Sequence, residues 1–502
     1  MRGSKIAPVL MLLGFAGAVP AQDDPDLRQS KALQRTMAKI IQQNEAAVAC
    51  ILVSRSETYQ EFGQGPDKDQ PGKLGSFDVP ALKLYPRFRG LTAEQQKQWL
   101  KLLDFADPAF VPRAFGSGIV IDSDGLILTN YHVVQEATKI FVRLPGGKSS
   151  YADIHAADPR SDLAVLKLLN ANALPLKAIT LGDADKLQRG NFVLTLSNPF
   201  AAGFRDGQPS ASWGILSNIR RRAFPHLKEE DRVKPFQYYG TLLQTDARMH
   251  LGCSGGAMLN LSGELVGLIT SVAAIQGGET PGGFAIPVHA GMRRIIEVLK
   301  RGEEVDYGFL GVGFDERNGN GKLSVKLTLV GKGSPAHVDG KLIEGDGLLE
   351  VDGQPIHEPD DIFVALGMHL AGSKIKLHVR HKNQERIVDV TLAKLYVPGK
   401  KIASSTGNRP YFRGLRVDYS SLVVQQSPRW FHIPEGVFLC DVQPNTPADR
   451  ANLKSGDVIT HVNGLKVTTP AAFYQAVAGA RGPLELTLYG DANKVFLKSL
   501  MK

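Results

Sequence analysis

Between residues 116 and 287 the sequence alternates short apolar runs with turn residues, and no helical pattern interrupts them. The dipeptides Asp124-Gly125 and Ser262-Gly263 are turn signals between such runs. This pattern is typical of an all-β barrel or sandwich. A helical pattern over about 289–300 follows and is expected to close the region. The runs that we interpret as strands are 117–121, 126–129, 139–144, 163–168, 192–196, 214–217, 264–271 and 283–286.

The remainder of the chain contains two copies of one pattern. Two copies in the same order predict two modules of one fold, at 307–397 and 410–502, with a linker at 398–409. The first copy is Phe309-Leu310-Gly311-Val312, Ser334-Pro335-Ala336, Gly345-Asp346 and Val351-Asp352-Gly353, and the second is Phe412-Arg413-Gly414-Leu415, Thr446-Pro447-Ala448, Gly456-Asp457 and Val462-Asn463-Gly464.

The N-terminus has the features of a secretory signal. Arg2 and Lys5 precede an apolar stretch, and small residues around Ala21 offer a cleavage site. We therefore interpret 1–21 as a signal peptide of a secreted or periplasmic protein. An uncleaved membrane anchor is the alternative. Residues 22–46 have helical apolar spacing, and 55–111 are interpreted as a long inserted loop.

Charge and cysteine usage narrow the classes of partner. The formal net charge of +9 is mild for 502 residues, and the run Arg220–Arg222 lies close to the acidic group Glu229–Asp231. We expect a solvated loop there and no nucleic-acid partner. The three cysteines are widely spaced and include no Cys-X-X-Cys pair, so no metal site and no cofactor are predicted. Cys50 and Cys440 lie in apolar runs and are expected to be buried in strands.

Three segments carry the residue types of nucleophilic catalysis. They are centred on His132, Asp162 and Ser254, in that chain order. A serine hydroxyl is a poor nucleophile unless a base accepts its proton, and imidazole suits that task because its pKa lies near neutral pH. His132 is predicted to be this base, and Asp162 to orient it. Glycines around Ser254 permit a sharp turn, in which the N–H groups of Gly252 and Ser254 are expected to bind an oxyanion.

These segments resemble the HtrA/Deg family of trypsin-like proteases. The order His, Asp, Ser is that of the chymotrypsin-type double barrel. Each segment alone is a weak signal, but together they are specific. The resemblance covers roughly residues 30–500. It rests on Gly116-Ser117-Gly118, 129–134, 161–168, Leu196-Ser197-Asn198-Pro199, Gln244-Thr245-Asp246-Ala247, 252–257 and 284–287.

The resemblance implies a mainly β chain with a chymotrypsin-like double β-barrel protease domain at 47–302, followed by two PDZ-like α+β domains. It implies an exported serine endopeptidase that hydrolyses unfolded or damaged proteins and assembles from trimers. PDZ modules bind C-terminal peptides by adding them as a strand, with the terminal carboxylate held by a glycine-containing loop. The expected peptide-binding loops are Phe309, Leu310, Gly311 and Val312 in the first module, and Phe412, Arg413, Gly414 and Leu415 in the second.

The nucleophile segment departs from the family pattern at several positions. Cys253 replaces the usual Asn, and we expect it to point inward as a small apolar residue. Arg248 and Thr270 are predicted to belong to the specificity pocket, with Arg248 favouring acidic or polar side chains. The alternative places Arg248 in solvent or in a pair with Asp246. These departures also leave open a second function, a catalytically silent chaperone or a PDZ peptide-binding scaffold.

Overall fold

The computed structural model describes most of the chain outside the N-terminus and several long loops. The predicted signal peptide, nearly all of the predicted inserted loop and most of the segments 220–236 and 270–282 lie outside the described residues. These are 25–55, 89–96, 114–221, 235–270, 282–314, 325–398, 402–405, 407, 409–426, 432–490 and 494–497. In the described part of the chain, no helix is both long and apolar enough to cross a membrane.

Helix α1 (Pro25–Asn44) forms where the sequence has helical apolar spacing. Most of the helix is exposed, and Ile40 is its buried residue. The partly buried side chains of Met37 and Ile41 pack against the same core. A narrow apolar stripe of this kind attaches the helix to the barrel that follows.

A first β-barrel follows the helix. Its strands lie in the order β5-β4-β1-β2-β3-β6, and the pairing of β5 with β6 closes it. Strand β1 is buried apart from Ser54, and β2 and β4 pair with its two edges. The strands are β1 Val48–Ser54, β2 Ala114–Asp122, β3 Leu126–Asn130, β4 Lys139–Leu144, β5 Lys148–Asp158 and β6 Leu163–Leu168. The short helix α2 (Tyr131–Val134) leaves the end of β3.

A second closed barrel has the strand order β10-β11-β12-β9-β8-β7. Its strands are β7 Phe192–Ser197, β8 Ser210–Arg221, β9 Leu242–Thr245, β10 Ala257–Leu259, β11 Leu265–Thr270 and β12 Gly283–Pro287. Helix α3 (Ala290–Lys300) then packs Met292, Ile295 and Leu299 into the core. One continuous apolar cluster joins residues of both barrels, so loops from the two barrels meet at their junction.

The first C-terminal module is an antiparallel sheet flanked by two helices. The sheet has the order β14-β15-β16-β18-β19, and a separate pairing joins β13 to β20. The elements are β13 Gly308–Phe309, β14 Val312–Phe314, β15 Val325–Val330, α4 Pro335–Val338, β16 Gly347–Val351, β17 Gln354–Pro355, α5 Pro359–Gly367, β18 Lys374–His381, β19 Gln384–Thr391 and β20 Ala393–Lys394.

The second module repeats the plan with the sheet order β22-β23-β24-β26-β27. It also has its own apolar core. The elements are β22 Leu415–Tyr419, α6 Ser421–Gln426, β23 Val437–Val442, α7 Pro447–Arg450, β24 Val458–Val462, β25 Leu465–Lys466, α8 Pro470–Val477, β26 Leu484–Leu488 and β27 Lys494–Leu497. The mainly β fold class with two α+β modules is confirmed.

The segment predicted to be a plain linker contacts the first barrel. Strand β21 (Ile402–Ala403) pairs with the edge of β5 at Ala156 and Ala157. Ser404 Oγ lies 2.9 Å from His155 Nδ1. Because an exposed sheet edge accepts an added strand, the linker returns to the barrel before the second module begins.

A buried ionic cluster joins the two modules. Lys394 Nζ lies 2.8 Å from Asp306 Oδ1 and 2.7 Å from Asp418 Oδ2. Arg409 contacts the same two carboxylates at 2.8 and 2.6 Å. Burial raises the pKa of the Asp306 carboxyl above its ordinary value. The positive charges of Lys394 and Arg409 lower this pKa, but burial outweighs them. Removal of one partner would leave a buried charge without its counter-charge. The cluster therefore favours a fixed position of one module relative to the other.

Candidate active site

His132 and Asp162 meet at the open end of the first barrel. His132 Nδ1 lies 2.8 Å from Asp162 Oδ2, and the His132 backbone N–H donates to Asp162 Oδ1 at 3.0 Å. Asp162 takes a left-handed φ of 57° just before β6. Strained backbone of this kind is concentrated at functional sites. The contact fixes Nδ1 as the protonated ring nitrogen and leaves Nε2 as the basic one.

The electrostatics of the pair favour a charged imidazole. Burial lowers the pKa of His132, but the negative charge of Asp162 and its hydrogen bond outweigh burial, so the pKa lies above its ordinary value of 6.5. Arg55 opposes this, since its charge lowers the pKa of His132. An imidazole that gains basicity from a carboxylate is suited to accept a proton and hold it during a reaction.

Ser254 lies beside this pair, in the turn that precedes β10. The backbone N–H of Ser117 on β2 donates to Ser254 O at 2.7 Å. A Cβ placed on Gly116 would come within 2.7 Å of Val133 Cγ1 and 3.2 Å of Ser254 O. The residue next to His132 and the Ser254 backbone therefore both pack against Gly116. The turn that carries Ser254 and the helix α2 that carries His132 therefore share one neighbour, Gly116 on β2.

The backbone before Ser254 forms a type II turn. The Cys253 N–H donates to His250 O at 3.0 Å, and Gly252, at the third position, has a φ of +95°. A type II turn has a positive φ at its third residue and a negative φ at its second, and the third residue is therefore usually glycine. Among the residues that the structure describes, no acceptor is recorded for the Gly252 N–H. This donor is available for an oxyanion.

A second loop holds this turn from the other side. Phe200 donates its backbone N–H to Leu251 O at 2.7 Å. Phe200 and Ala201 have positive φ values of 52° and 56°, which cost energy for residues other than glycine. Because N–H and C=O of a trans peptide point in opposite directions, fixing the Leu251 carbonyl aims the Gly252 N–H at the opposite face. The Gly252 N–H therefore points away from the Phe200 N–H that holds the Leu251 carbonyl.

Comparison with known families matches all three folded parts. The trypsin-like peptidase domain matches residues 116–268. PDZ domains match residues 308–392 and 438–488. These matches cover the barrels except β1 and β12, most of the first module and part of the second.

Full-length relatives identify the family. A probable periplasmic serine endoprotease DegP-like of Pseudomonas putida (strain W619) is 32% identical over 374 residues, which cover 72% of this chain and 73% of the relative. This chain belongs to the DegP-like family of serine endoproteases. A DegP-like relative of Chlamydia muridarum is 27% identical over 477 residues and covers 92% of this chain and 88% of its own. The HtrA-type protease AlgW with tripeptide covers 72% of this chain and 98% of its own, with 24% identity and a TM-score of 0.49.

The unusual cysteine of this DegP-like chain points into the second barrel. Cys253 is 2% exposed and packs in a core cluster with Met258, Val266 and Ile269. The His250 N–H lies 3.3 Å from Cys253 Sγ. A thiol enclosed by apolar side chains acts as a small hydrophobic residue. The structure therefore leaves Ser254 as the nucleophile candidate of this turn.

The specificity prediction for Arg248 does not match its position. Arg248 is exposed, so it does not form the base of a buried pocket, and the solvent alternative describes it better. Asp246 Oδ1 instead accepts from the Ile215 N–H at 2.7 Å. Thr270 is buried at the end of β11. Met249, which the sequence analysis missed, packs on β12, since a Cβ on Gly283 would lie 2.2 Å from Met249 Sδ.

The predicted peptide-binding loop of the first PDZ domain lies between β13 and β14. Gly311 has a φ of +83°, and a Cβ there would come within 2.2 Å of Ser334 Cβ. The carbonyls of Leu310 and Gly311 accept from the backbone N–H groups of Ala336 and Gly331. The loop is thus fixed through its carbonyl oxygens. Phe309 and Val312 form the strand ends on either side.

The corresponding loop of the second PDZ domain is also held through the carbonyls of Arg413 and Gly414, and its amides are engaged in addition. Leu415 donates its N–H to Phe412 O at 3.1 Å, and the Val417 N–H on β22 donates to Tyr474 Oη at 3.4 Å. The Arg413 guanidinium, predicted to belong to a binding loop, donates to the carbonyls of Ala480 and Gly482 in the segment between α8 and β26. Gly414 has a φ of +89°. Amides that a bound strand would use are already occupied here.

Other residues that support the site were not found from the sequence. Ser117 Oγ donates to Gly252 O at 2.8 Å and accepts from the Asn198 N–H at 2.8 Å. Arg55 Nη2 lies 3.2 Å from the His132 carbonyl. Gln237 Nε2 donates to Asp162 Oδ2 at 2.9 Å. The sequence analysis identified the strings around Ser117 and Asn198 as part of the family resemblance, but it assigned no role to either residue.

The turn geometry leads to a prediction for Gly252→Ala. A Cβ there would meet Asn198 O at 2.6 Å and the Phe115 ring at 2.9 Å, so the turn must change and the oxyanion donor is lost. Loss of one such donor lowers kcat by about 10²–10³-fold. Steady-state kinetics on a peptide substrate measure this. Gly146→Ala is the matched control, since Gly146 has a φ of +81° and no atom within 4 Å. Equal loss in both variants would contradict the assignment.

Proposed function

We propose that this serine endoprotease is exported and cleaves unfolded or misfolded polypeptides through an acyl-enzyme on Ser254. The observation that carries the proposal is the Asp162–His132 pair beside a Ser254 turn with an available Gly252 donor. The reaction needs these groups and no metal ion or organic cofactor. Digestion of casein by wild type and by Ser254→Ala tests it. Equal digestion by both proteins would reject it.

The first half of the reaction forms the acyl-enzyme. His132 Nε2 takes the proton from Ser254 Oγ as that oxygen attacks the scissile carbonyl. The negative charge that develops on the carbonyl oxygen is bound by the N–H groups of Gly252 and Ser254. Asp162 stabilises the imidazolium without taking its proton. His132 then gives the proton to the leaving amine, and the C–N bond breaks.

The second half repeats these steps with water. His132 Nε2 takes a proton from water, whose oxygen attacks the acyl carbonyl. The same oxyanion donors bind the tetrahedral intermediate, and the C–O bond to Ser254 breaks as the proton returns to Oγ. The product acid leaves, and the enzyme is regenerated.

We assign peptide capture mainly to the first PDZ domain. Both loops are held through equivalent carbonyl oxygens, and the difference lies in the amides. The N–H groups of Leu415 and Val417 in the second domain are engaged internally, whereas no acceptor is recorded among the described residues for those of Leu310 and Gly311. A peptide that adds as a strand needs free amides on the receiving edge. Substrate segments would bind beside β14 and supply the chain that enters the cleft between the barrels.

Peptide titration tests the role of the first PDZ domain. A peptide with a free C-terminus is expected to bind about tenfold tighter than the same peptide amidated, because bonds to a charged acceptor are the stronger ones. Gly311→Ala should abolish this difference. The matched control Gly353→Ala should keep it, since Gly353 has a φ of +76° and no atom within 4 Å. Binding that is indifferent to amidation would contradict the proposal. Fluorescence anisotropy measures it.

The substrate class is tested with one protein in two states. A disulfide-bonded protein that is reduced and alkylated should be cleaved, and its native form should resist. An extended backbone is required to reach the recessed Ser254, which is 5% exposed. Equal rates on both forms would exclude a preference for unfolded chains.

The family and the N-terminal pattern support proposals on export and assembly. We propose removal of residues 1–21 and location in the periplasm, in line with relatives that are named periplasmic. We also propose a trimer-based homo-oligomer. Cell fractionation with N-terminal sequencing tests the first, and analytical ultracentrifugation tests the second. A full-length cytosolic monomer would reject both.

A further inference from the structure

The carboxylate of Asp162 has a third donor that the catalytic pattern does not include. Gln237 Nε2 donates to Oδ2 at 2.9 Å, while the His132 N–H donates to Oδ1 at 3.0 Å. With both oxygens tied, the carboxylate cannot rotate without breaking a bond. We propose that Gln237 is a positioning residue that keeps Asp162 aligned with His132 Nδ1. The proposal rests on the roles given to Asp162 and His132 in the proposed function.

The residue before Gln237 is fixed to the loop that carries Asp162. Phe236 donates its N–H to Arg160 O at 2.9 Å and is 1% exposed. The Arg160 guanidinium lies 4.7 Å from the Phe236 ring and 4.5 Å from the Tyr307 ring. Tyr307 Oη in turn donates to Asp158 Oδ2. Phe236, which directly precedes Gln237, is therefore anchored to Arg160, two residues before Asp162.

The residues after Gln237 are fixed to the first PDZ domain. The rings of Tyr239 and Phe363 on α5 stack at 4.7 Å with an interplanar angle of 20°. A Cβ on Gly367, at the end of the same helix, would come within 2.2 Å of Phe236 Cε1. The turn 236–239 is thus clamped between the barrel and helix α5. Its amide side chain reaches Asp162 from a rigid support.

The amide is chemically suited to this task. A cationic donor would neutralise Asp162 and weaken the stabilisation of the imidazolium. The neutral amide orients the carboxylate while its negative charge remains available to His132. The other titratable groups around the pair are Tyr131 on α2 and Arg55 after β1. Neither is recorded as a donor to the Asp162 side chain among the described residues.

Gln237→Leu tests the proposal by kinetics. Loss of a bond to a charged group should lower kcat by roughly tenfold to a hundredfold with KM unchanged. In the Asp162→Asn background the same substitution should cost less than about twofold, since residues that act as one unit are not additive. A purely structural role would cost the same factor in both backgrounds and would overturn the proposal. Gln188→Leu, at an exposed amide of the barrel, should have no effect in either background.

Gln237→Glu gives a second and nearly isosteric test. A protonated glutamic acid can donate to Asp162, but an ionised one cannot. The like charge of Asp162 raises the pKa of the new carboxyl. The variant should approach wild-type kcat at the acidic end of the active range and lose it as pH rises. A profile parallel to wild type would overturn the proposal. If Asp162→Asn itself leaves kcat unchanged, the proposed function fails; if it lowers kcat while Gln237→Leu has no effect, only the role of Gln237 fails.

Discussion

Replacing Ser254 by alanine is expected to lower kcat by about 10⁶-fold, to the level that binding and the oxyanion donors supply without a nucleophile. The hydroxyl is the atom that forms the acyl-enzyme, and no other side chain of the turn can take its place. Cys253 is enclosed in the core at 2% exposure. Kinetics on a fluorogenic peptide measure the loss, and circular dichroism shows that the variant is folded.

The companion variant Cys253→Ala separates the two candidate nucleophiles. It removes one buried sulfur and should cost about 1 kcal/mol of stability, while kcat stays within a few-fold of wild type. The opposite pattern, an active Ser254→Ala and an inactive Cys253→Ala, would assign the chemistry to the thiol. Measuring both variants with one substrate makes the comparison direct.

The second large effect is expected for Asp162→Asn. The amide cannot accept from Nδ1–H as a carboxylate does, so His132 takes the wrong tautomer, and kcat should fall by roughly 10⁴-fold. The pH profile should move as well. Wild type needs a neutral imidazole, whose pKa lies above 6.5 because of Asp162, so kcat/KM should be half-lost at a pH above 6.5 as the medium is acidified.

Without the Asp162 charge, the remaining influences on His132 are burial and the charge of Arg55, and both lower its pKa. The acidic limb of Asp162→Asn should therefore shift to lower pH. A variant that keeps the wild-type limb, or that loses less than tenfold in kcat, would contradict the pairing seen at 2.8 Å. Arg55→Gln should shift the limb in the opposite direction.

The parts of the fold that were predicted from the sequence have local signals. Apolar runs at 139–144 and 163–168 coincide with β4 and β6, because burial of a short strand leaves its mark in consecutive residues. The sequence repeat predicted two modules of one fold because equivalent turns and strands carry similar short motifs in both copies. The three residues of the proposed triad stand in recognisable strings, and the structure shows the contact between two of them, His132 and Asp162.

The parts that were missed depend on contacts between distant residues. Gln237 and Asp162 are 75 positions apart, and nothing near either residue indicates the bond. The left-handed φ of Phe200 and the return of β21 to the barrel have no local sequence signal. Arg248 and Arg413 were assigned from their positions in motifs. Whether a long side chain faces solvent, as Arg248 does, or binds backbone carbonyls of a distant segment, as Arg413 does, depends on tertiary packing.

The site of reaction with a fluorophosphonate probe tests the proposed triad most directly. The probe is attacked by an activated serine, so mass spectrometry of the labelled full chain should find one adduct, on Ser254. His132→Ala should prevent labelling, because the base is then missing, and Cys253→Ala should label like wild type. An adduct on another residue, or equal labelling of Ser254 in His132→Ala, would contradict the account.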